Sequence, residues 1–285
     1  MPKVSIVLPT YKGYRYLRQS IQSCLDQSFT DFELIIIDDG PSQETQDIVN
    51  SFSDKRIKLL INEHNIGLPD SVNKGMSNAI GRYLTWTSDD NYFAKDAIKE
   101  MVTYLDENKS YFVYCNYWLI NEEGEKIKEV KLSNPENLDG FNTIGACFLY
   151  KKEIPEKIGG FNKEFLGAED YEYWLRIKYS GFKISKIDKT LYYYRQNPQG
   201  ITGTQKSIGL AQKAYLACKA HCPAWSQLIN LGKVELYSNR PLSAIKYFLQ
   251  SIMQKPNFFY TWKLIVFAII NIISPKFAQN LKNKI

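Results

Sequence analysis

Asp89 and Asp90 stand side by side, directly after the run Tyr83-Leu84-Thr85-Trp86-Thr87-Ser88 and before Asn91. β-Branched and aromatic residues favour a strand and Ser-Asp-Asp-Asn is turn chemistry, so the pair is expected just past a strand's carboxyl end. In an open α/β sheet that is where ligands bind. Adjacent carboxylates in a cleft repel unless a cation neutralises them, and oxygen donors select a hard divalent ion. For Asp-Asp alone, an acidic loop capping the next helix is the other reading. A second acid pair, Asp38-Asp39, precedes Gly40. A third, Glu169-Asp170, opens a predicted helix whose acidic first turn suits the helix dipole. Asp170 and Trp174 share a face of that helix. Asn65-Ile66-Gly67 is a loop whose glycine lets a ligand approach the backbone.

These residues need elements to hold them. Val4 to Leu8 and Phe32 to Ile37 are nearly continuous apolar runs, the pattern of strands buried on both faces. Helices are expected from about 14 to 26 and 43 to 52, with a third strand at 57 to 61. Strand, helix, strand, helix, strand opens a doubly wound parallel sheet. A helix at 70 to 79 returns the chain to the Trp86 strand, and another is expected over 94 to 106. An aromatic strand follows at 111 to 119, then a hairpin about Glu123-Gly124. Strands at 182 to 187 and 191 to 195 complete a mixed sheet. From Ser207 the pattern is helical. Gly232, Ala244, Phe248 and Pro256 fit one tetratricopeptide-like hairpin, which must pack on the body or on a partner. The division expected is 1–204 for an α/β body and 205–285 for a basic helical extension.

The net charge of +6 is unevenly spread: residues 205 to 285 carry eleven basic side chains and one acid, Glu235, leaving the body at −4. A basic tail on an acidic body points to an anionic membrane surface, and the body lacks the basic stripe that nucleic acid would need. The apolar stretch 258 to 273, broken by Lys263 and Asn271, is short for a membrane span and suits a packed or interfacial helix. Lys276, Lys282 and Lys284 lie beside it. Five scattered cysteines fit reduced thiols, and Cys218-x-x-His221-Cys222 lacks a fourth zinc ligand. With Val4 already beginning the first strand, no signal peptide is expected, and the expected location is the cytoplasm, with the basic tail allowing a peripheral place on the inner face of the cytoplasmic membrane.

Val4 to Tyr11, Asp38-Asp39-Gly40, Asn65-x-Gly67, Ser88-Asp89-Asp90-Asn91 and Glu169-Asp170 occur in the order seen in glycosyltransferase family 2, which residues 1 to 200 resemble. The resemblance implies a GT-A fold, Rossmann-like with a mixed sheet flanked by helices, here with a C-terminal α-helical extension. It implies inverting, non-processive transfer of a sugar from a nucleotide donor to a glycan or lipid-linked acceptor of the cell envelope. Pro9, Thr10 and Tyr11 would lie against the nucleoside, and Asp38 and Asp39 would read ribose and base. Asp39 accepts from a base imide N–H, so a UDP-sugar is expected, although thymidine carries the same imide. Asp89 and Asp90 would hold Mg²⁺ or Mn²⁺ against the diphosphate. Asp170 would be the general base, Glu169 would orient the acceptor, and Arg195 would cap the diphosphate. Trp118, residues 141 to 147 and Trp174 would shape the acceptor pocket.

The sequence departs from that family in two places. The usual acidic motif has a further Asp two places before Asp89, where Thr87 stands. The helix after Asn65-x-Gly67 offers Lys74 where many members carry Arg, a point charge in place of a planar fork. No Gln-x-x-Arg-Trp motif and no run of membrane spans is present, against a processive synthase. A nucleotidyltransferase would show a Gly-rich basic phosphate loop in place of Pro9-Thr10-Tyr11. A non-catalytic nucleotide-sugar-binding scaffold would not need both Asp89-Asp90 and Glu169-Asp170.

Overall fold

Val4–Thr10 forms β1 because it can be buried on both faces: every residue in it is buried, with Val4, Ile6 and Leu8 towards one helical layer and Val7 towards the other. The computed structural model describes residues 1–197 and 207–275. After β1 come α1 (Tyr14–Leu25), β2 (Phe32–Asp38), α2 (Gln43–Asn50), β3 (Ile57–Ile61), α3 (Leu68–Asn78) and β4 (Tyr83–Trp86). β5 (Tyr92–Phe93), α4 (Ala97–Glu107), β6 (Phe112–Ile120), β7 (Lys126–Val130), β8 (Phe148–Lys151), α5 (Glu153–Ile158), α6 (Glu169–Tyr179) and β9 (Ile184–Arg195) complete the body.

The described strands form one nine-stranded sheet in the order β3-β2-β1-β4-β8-β6-β9-β5, with β7 pairing β6 outside that path. β1 is parallel to β2 and β4, and β2 to β3. β8 runs antiparallel between β4 and β6. Thr10 therefore faces Asp38 in register, and β4, two strands from β2, releases the chain at the same edge. The two acid pairs at 38–39 and 89–90 are brought together by this register. α1 and α4 cover one face of the sheet and α3 and α6 the other.

Several boundaries differ from expectation. The expected helix over 94 to 106 starts at Ala97, because Tyr92 and Phe93 pair with β9. The two strands expected at 182 to 187 and 191 to 195 are one strand, whose register with β6 shifts around Asn116 and absorbs the polar interruption. β8 and α5 had no sequence counterpart.

The extension consists of α7 (Ser207–His221), α8 (Ala224–Tyr237), α9 (Pro241–Gln254) and α10 (Phe259–Ile273). Ala217 and Cys218 of α7, and Cys222 just after it, are buried within the body's own core. A Cβ on Gly232 would lie 2.4 Å from the Phe248 ring, so α8 and α9 pack at a distance only glycine allows. The 204/205 division falls in the undescribed segment, and Lys276, Lys282 and Lys284 also lie outside the described residues. No helix among the described residues is long and apolar enough to cross a membrane.

Candidate functional site

Asp89 is held from three sides. Thr10, 3% exposed at the end of β1, donates its hydroxyl to Asp89 Oδ2 at 2.6 Å. The Tyr11 backbone N–H also serves this carboxylate. A Cβ on Gly13 would stand 1.9 Å from Oδ2, so the carboxylate fills the space that glycine leaves open. Asp90 is fixed through its backbone carbonyl, which accepts from Arg195 Nε at 2.9 Å, while its Oδ2 accepts from Asn197 Nδ2 at 3.2 Å. Burial, with the neighbouring Asp90 charge adding to it, pushes Asp89 up to about 6. Burial raises Asp90 too. Both line a hollow of about 150 Å³ with Lys12, Arg15 and Tyr16.

Two carboxylates pressed together, each disfavoured as an anion, suit a hard divalent cation. Among the described residues no group of three or more His, Cys, Asp or Glu side chains forms a cage. The adjacent carboxylates of Asp89 and Asp90 would suit Mg²⁺ or Mn²⁺ in the pattern where such an ion takes its remaining ligands from phosphate and water. Thr87 explains the missing third acid: it is 1% exposed and its hydroxyl is 2.6 Å from that of Tyr192, in a position where a carboxylate would be buried.

The second acid pair supports a loop. Asp39 Oδ1 accepts from Asn62 Nδ2 at 2.9 Å and from the Ile66 N–H at 2.8 Å, and Oδ2 from the Gly67 N–H at 3.0 Å. Gly67 has φ +89°, a conformation that only glycine adopts without strain, and it starts α3. Lys74 Nζ donates to Asn62 Oδ1 at 2.5 Å and to the Ile61 carbonyl at 3.2 Å. The Lys74 ammonium, expected to meet the nucleotide, thus orients Asn62, and Asn62 orients Asp39. Asp38 is fully buried and burial raises its pKa. Oδ2 takes the Ser42 N–H at 3.1 Å and Oδ1 has no partner among the described residues. Pro9 and Thr10 are buried, whereas Tyr11 is 49% exposed and its ring lies 3.4 Å from where a Gly40 Cβ would be. Of the three β1-end residues, Tyr11 alone presents a surface to a nucleoside.

Arg195 also differs from expectation. It is 3% exposed, and its guanidinium spans Asp90 O, Asn121 O at 3.0 Å, Glu122 O at 2.6 Å and Gln19 Oε1 at 2.6 Å, with the Tyr16 ring beneath it at 4.1 Å. Four of its five donors are engaged in tying the acidic turn to its neighbours, which leaves at most one N–H, on a buried side chain, for a diphosphate. Trp174 likewise has no acceptor surface. It is 1% exposed, with its ring 4.8 Å from Phe148 and 4.9 Å from Phe112 in the core.

Asp170 lies in the first turn of α6. Its Oδ2 accepts from Asn142 Nδ2 at 2.9 Å and its Oδ1 from the Tyr171 N–H at 2.6 Å. Burial raises Asp170 and, with Asp170's charge adding, lifts Glu169 to about 7. Glu169 accepts from the Gly167 N–H. Asp170 lines a second hollow of about 310 Å³, distinct from the one holding Asp89 and Asp90. Asp89 and Asp170, expected to face one shared hollow, therefore line two different ones with no lining residue in common.

Residues 5–163 match the model of Glycosyl transferase family 2, more than half of the chain. The chain belongs to glycosyltransferase family 2. An uncharacterized glycosyltransferase of Rickettsia prowazekii is 32% identical over 198 residues, 65% of this chain and 60% of its own length. The chain thus spans less than two thirds of that relative. The Escherichia coli UDP-Glc:alpha-D-GlcNAc-diphosphoundecaprenol beta-1,3-glucosyltransferase WfaP is 27% identical over 231 residues, 76% of this chain and 91% of its own. Among solved structures, residues 1–349 of S. aureus TarS in complex with UDP-GlcNAc share the fold. The TM-score is 0.67 over 93% of this chain and 89% of that one, at 18% identity. The fold is accordingly GT-A, and the chain carries Asp38 to Asp90 inside the family match and Glu169, Asp170 and Arg195 beyond it.

Sequence reasoning missed Gly13, Asn62, Lys12 and Arg15, and it named Asn142 only within the stretch 141 to 147. Asn62 and Gly13 had a readable signal, since each directly follows a strand or precedes a helix at the ligand-binding edge. The pairing of Asn142 with Asp170 had none, because the two lie 28 residues apart.

Proposed function

We propose that this glycosyltransferase moves one sugar from a UDP-sugar to a hydroxyl of a glycan or lipid-linked acceptor, inverting the anomeric configuration. The observation that carries the donor half is the Thr10–Asp89–Gly13 cradle beside the loop held by Asp39. The uridine ring would lie on Tyr11, with the remaining lone pair of Asp39 Oδ2 facing the imide N–H. Asp89 and Asp90 would hold the divalent ion, which when bound neutralises charge on the diphosphate. Lys12 and Arg15, which line the same hollow, take over the diphosphate role once assigned to Arg195. Asp170 takes the proton of the acceptor hydroxyl as that oxygen bonds to the anomeric carbon and the bond from carbon to diphosphate oxygen breaks. Glu169, with its raised pKa, orients the helix start that presents Asp170. The printed names of WfaP and of the TarS complex, UDP-Glc and UDP-GlcNAc, support uridine, and WfaP's acceptor supports a lipid-linked diphosphate.

Incubation with a panel of UDP-sugars and Mn²⁺ should release UDP, and Asp89→Asn should lower the rate at least 100-fold. A panel with no UDP release, or a rate unmoved by Asp89→Asn, would overturn the reading. Pyrophosphate release from a nucleoside triphosphate would indicate a nucleotidyltransferase instead. Tight donor binding without turnover, unchanged in Asp170→Asn, would indicate a scaffold.

The reading extends to an anionic membrane on the cytoplasmic side. Phe259, Trp262, Val266, Ile269 and Ile273 are exposed on α10 at steps of three and four, one stripe of a helix, in a segment of strongly positive charge. Sedimentation with phosphatidylglycerol vesicles should fall at least fivefold in a Trp262→Ser, Val266→Ser double variant. Equal sedimentation would remove the membrane from the account.

A further inference from the structure

The hollow around Asp170 is only half built by the catalytic body. Asn142 and Asp170 line one side, and the other side is Ala211 and Ala214 of α7 with Asn230 and Lys233 of α8. We propose that the C-terminal helices are a working part of the enzyme, forming with Asp170 a subsite for the acceptor's terminal sugar in which Lys233 donates to a sugar hydroxyl. This rests on the transferase reading above and adds to it a location and a residue.

The hollow's chemistry is that of carbohydrate recognition. Asp170 accepts hydrogen bonds, Asn142 and Asn230 offer amides, and Phe141 supplies an aromatic surface for ring C–H groups. Lys233 is half-buried, with Nζ donating to the Gly140 carbonyl at 2.7 Å and lying 4.8 Å from the Tyr260 ring. An ammonium has three donors, so this contact fixes its position and leaves others for a ligand. Burial also lowers its pKa to about 7, which weakens the charge and keeps the group a hydrogen-bond donor. Ala211 and Ala214 are a helical turn apart on α7, and small side chains there leave the space open. A volume of about 310 Å³ is at the lower end of ligand pockets and fits a single sugar residue better than a nucleotide sugar. The donor has its own hollow at Asp89, and the loop carrying Phe141 and Asn142 leads into β8, the neighbour of β4 in the sheet.

The test is saturation-transfer NMR on the full chain with a panel of methyl hexosides and methyl N-acetylhexosaminides, with and without UDP. At least one glycoside should bind. Its signal should fall at least fivefold in Ala211→Trp, which fills the hollow, and in Lys233→Met, while the affinity for UDP stays within twofold. Asn142→Leu, at an exposed position, should give the same loss without disturbing either helix. No binding by any glycoside, or binding within twofold of wild type in Ala211→Trp and Asn142→Leu, would overturn the proposal. Failure of UDP to bind would count against the donor reading alone, since the glycoside arm is measured without it.

Discussion

Asp89 is the residue on which the donor edge turns, and its neighbours set two measurable consequences. Adding a methyl group at Gly13 would place carbon 1.9 Å from Asp89 Oδ2, so the carboxylate must leave its hydrogen bond with Thr10. Gly13→Ala is expected to cut UDP release at least 100-fold while the melting temperature shifts by under about 4 °C, because overpacking at a half-exposed loop costs roughly 1 kcal/mol. A near-normal rate would show that Asp89 does not need that position. The second consequence is a pH dependence. Asp89 is raised to about 6 and Glu169 to about 7, so the folded state holds protons that the unfolded chain has already released. Their contribution to stability is full below about pH 4 and is lost as the pH rises to about 7. Without divalent ions, thermal stability should decline over that window, and Asp89→Asn should flatten part of the decline. Mn²⁺ with UDP should restore stability most at the upper end, where Asp89 is charged. A profile identical in wild type and Asp89→Asn would contradict this assignment. The acids themselves were legible in the sequence because turn chemistry is local. Their partners were not, since Thr10 and Asp89 are 79 positions apart and only the sheet register joins them.

At the scale of elements, Arg195 ends β9 and binds the acidic turn after β4, the β6–β7 hairpin and α1 together. A planar guanidinium with five donors can serve these diverging acceptors, whereas an ammonium with three cannot. Arg195→Lys should therefore lower stability by about 2–4 kcal/mol in urea denaturation and raise the donor KM, since buried carbonyls lose partners and Asp90 loses its anchor. A stability within about 0.5 kcal/mol of wild type would leave Arg195 as an ordinary side chain. The elements differ in how plainly they are written. β1 and β2 were legible as unbroken apolar runs, because both faces are covered. β5 has two residues and β8 four, too few for any periodicity, and both exist because β9 and β4 offer them edges. β9 seemed divided because Asp188 and Lys189 are polar, and a register shift against β6 accommodates them.

For the whole molecule, the question is whether the extension is a separate module or part of one folding unit. Its contacts favour one unit. Phe258 occupies the space where a Gly140 side chain would be, Phe141 packs 4.4 Å from Tyr260, and His221 Nε2 is 3.0 Å from Glu172 Oε1. Ser226 donates to the Asp139 carbonyl, so one body loop, residues 139 to 141, is covered by α8 and by the chain entering α10. The sequence showed that a lone helical hairpin needs a surface to rest on, but nothing in it identified that loop, because the matching side chains are separated by 87 positions or more. A chain ending at residue 197 would expose the Ala217–Cys222 seat in the body core, remove the Ser226 donor from the Asp139 carbonyl and remove the Lys233 donor from the Gly140 carbonyl. It should melt at least about 6–12 °C lower, the equivalent of about 3 kcal/mol in a body of this size. The intact chain should unfold in a single calorimetric transition. Two separate transitions, with the lower one absent from the truncated chain and its remaining melting point unchanged, would show an independent module and would also detach Lys233 from the catalytic body.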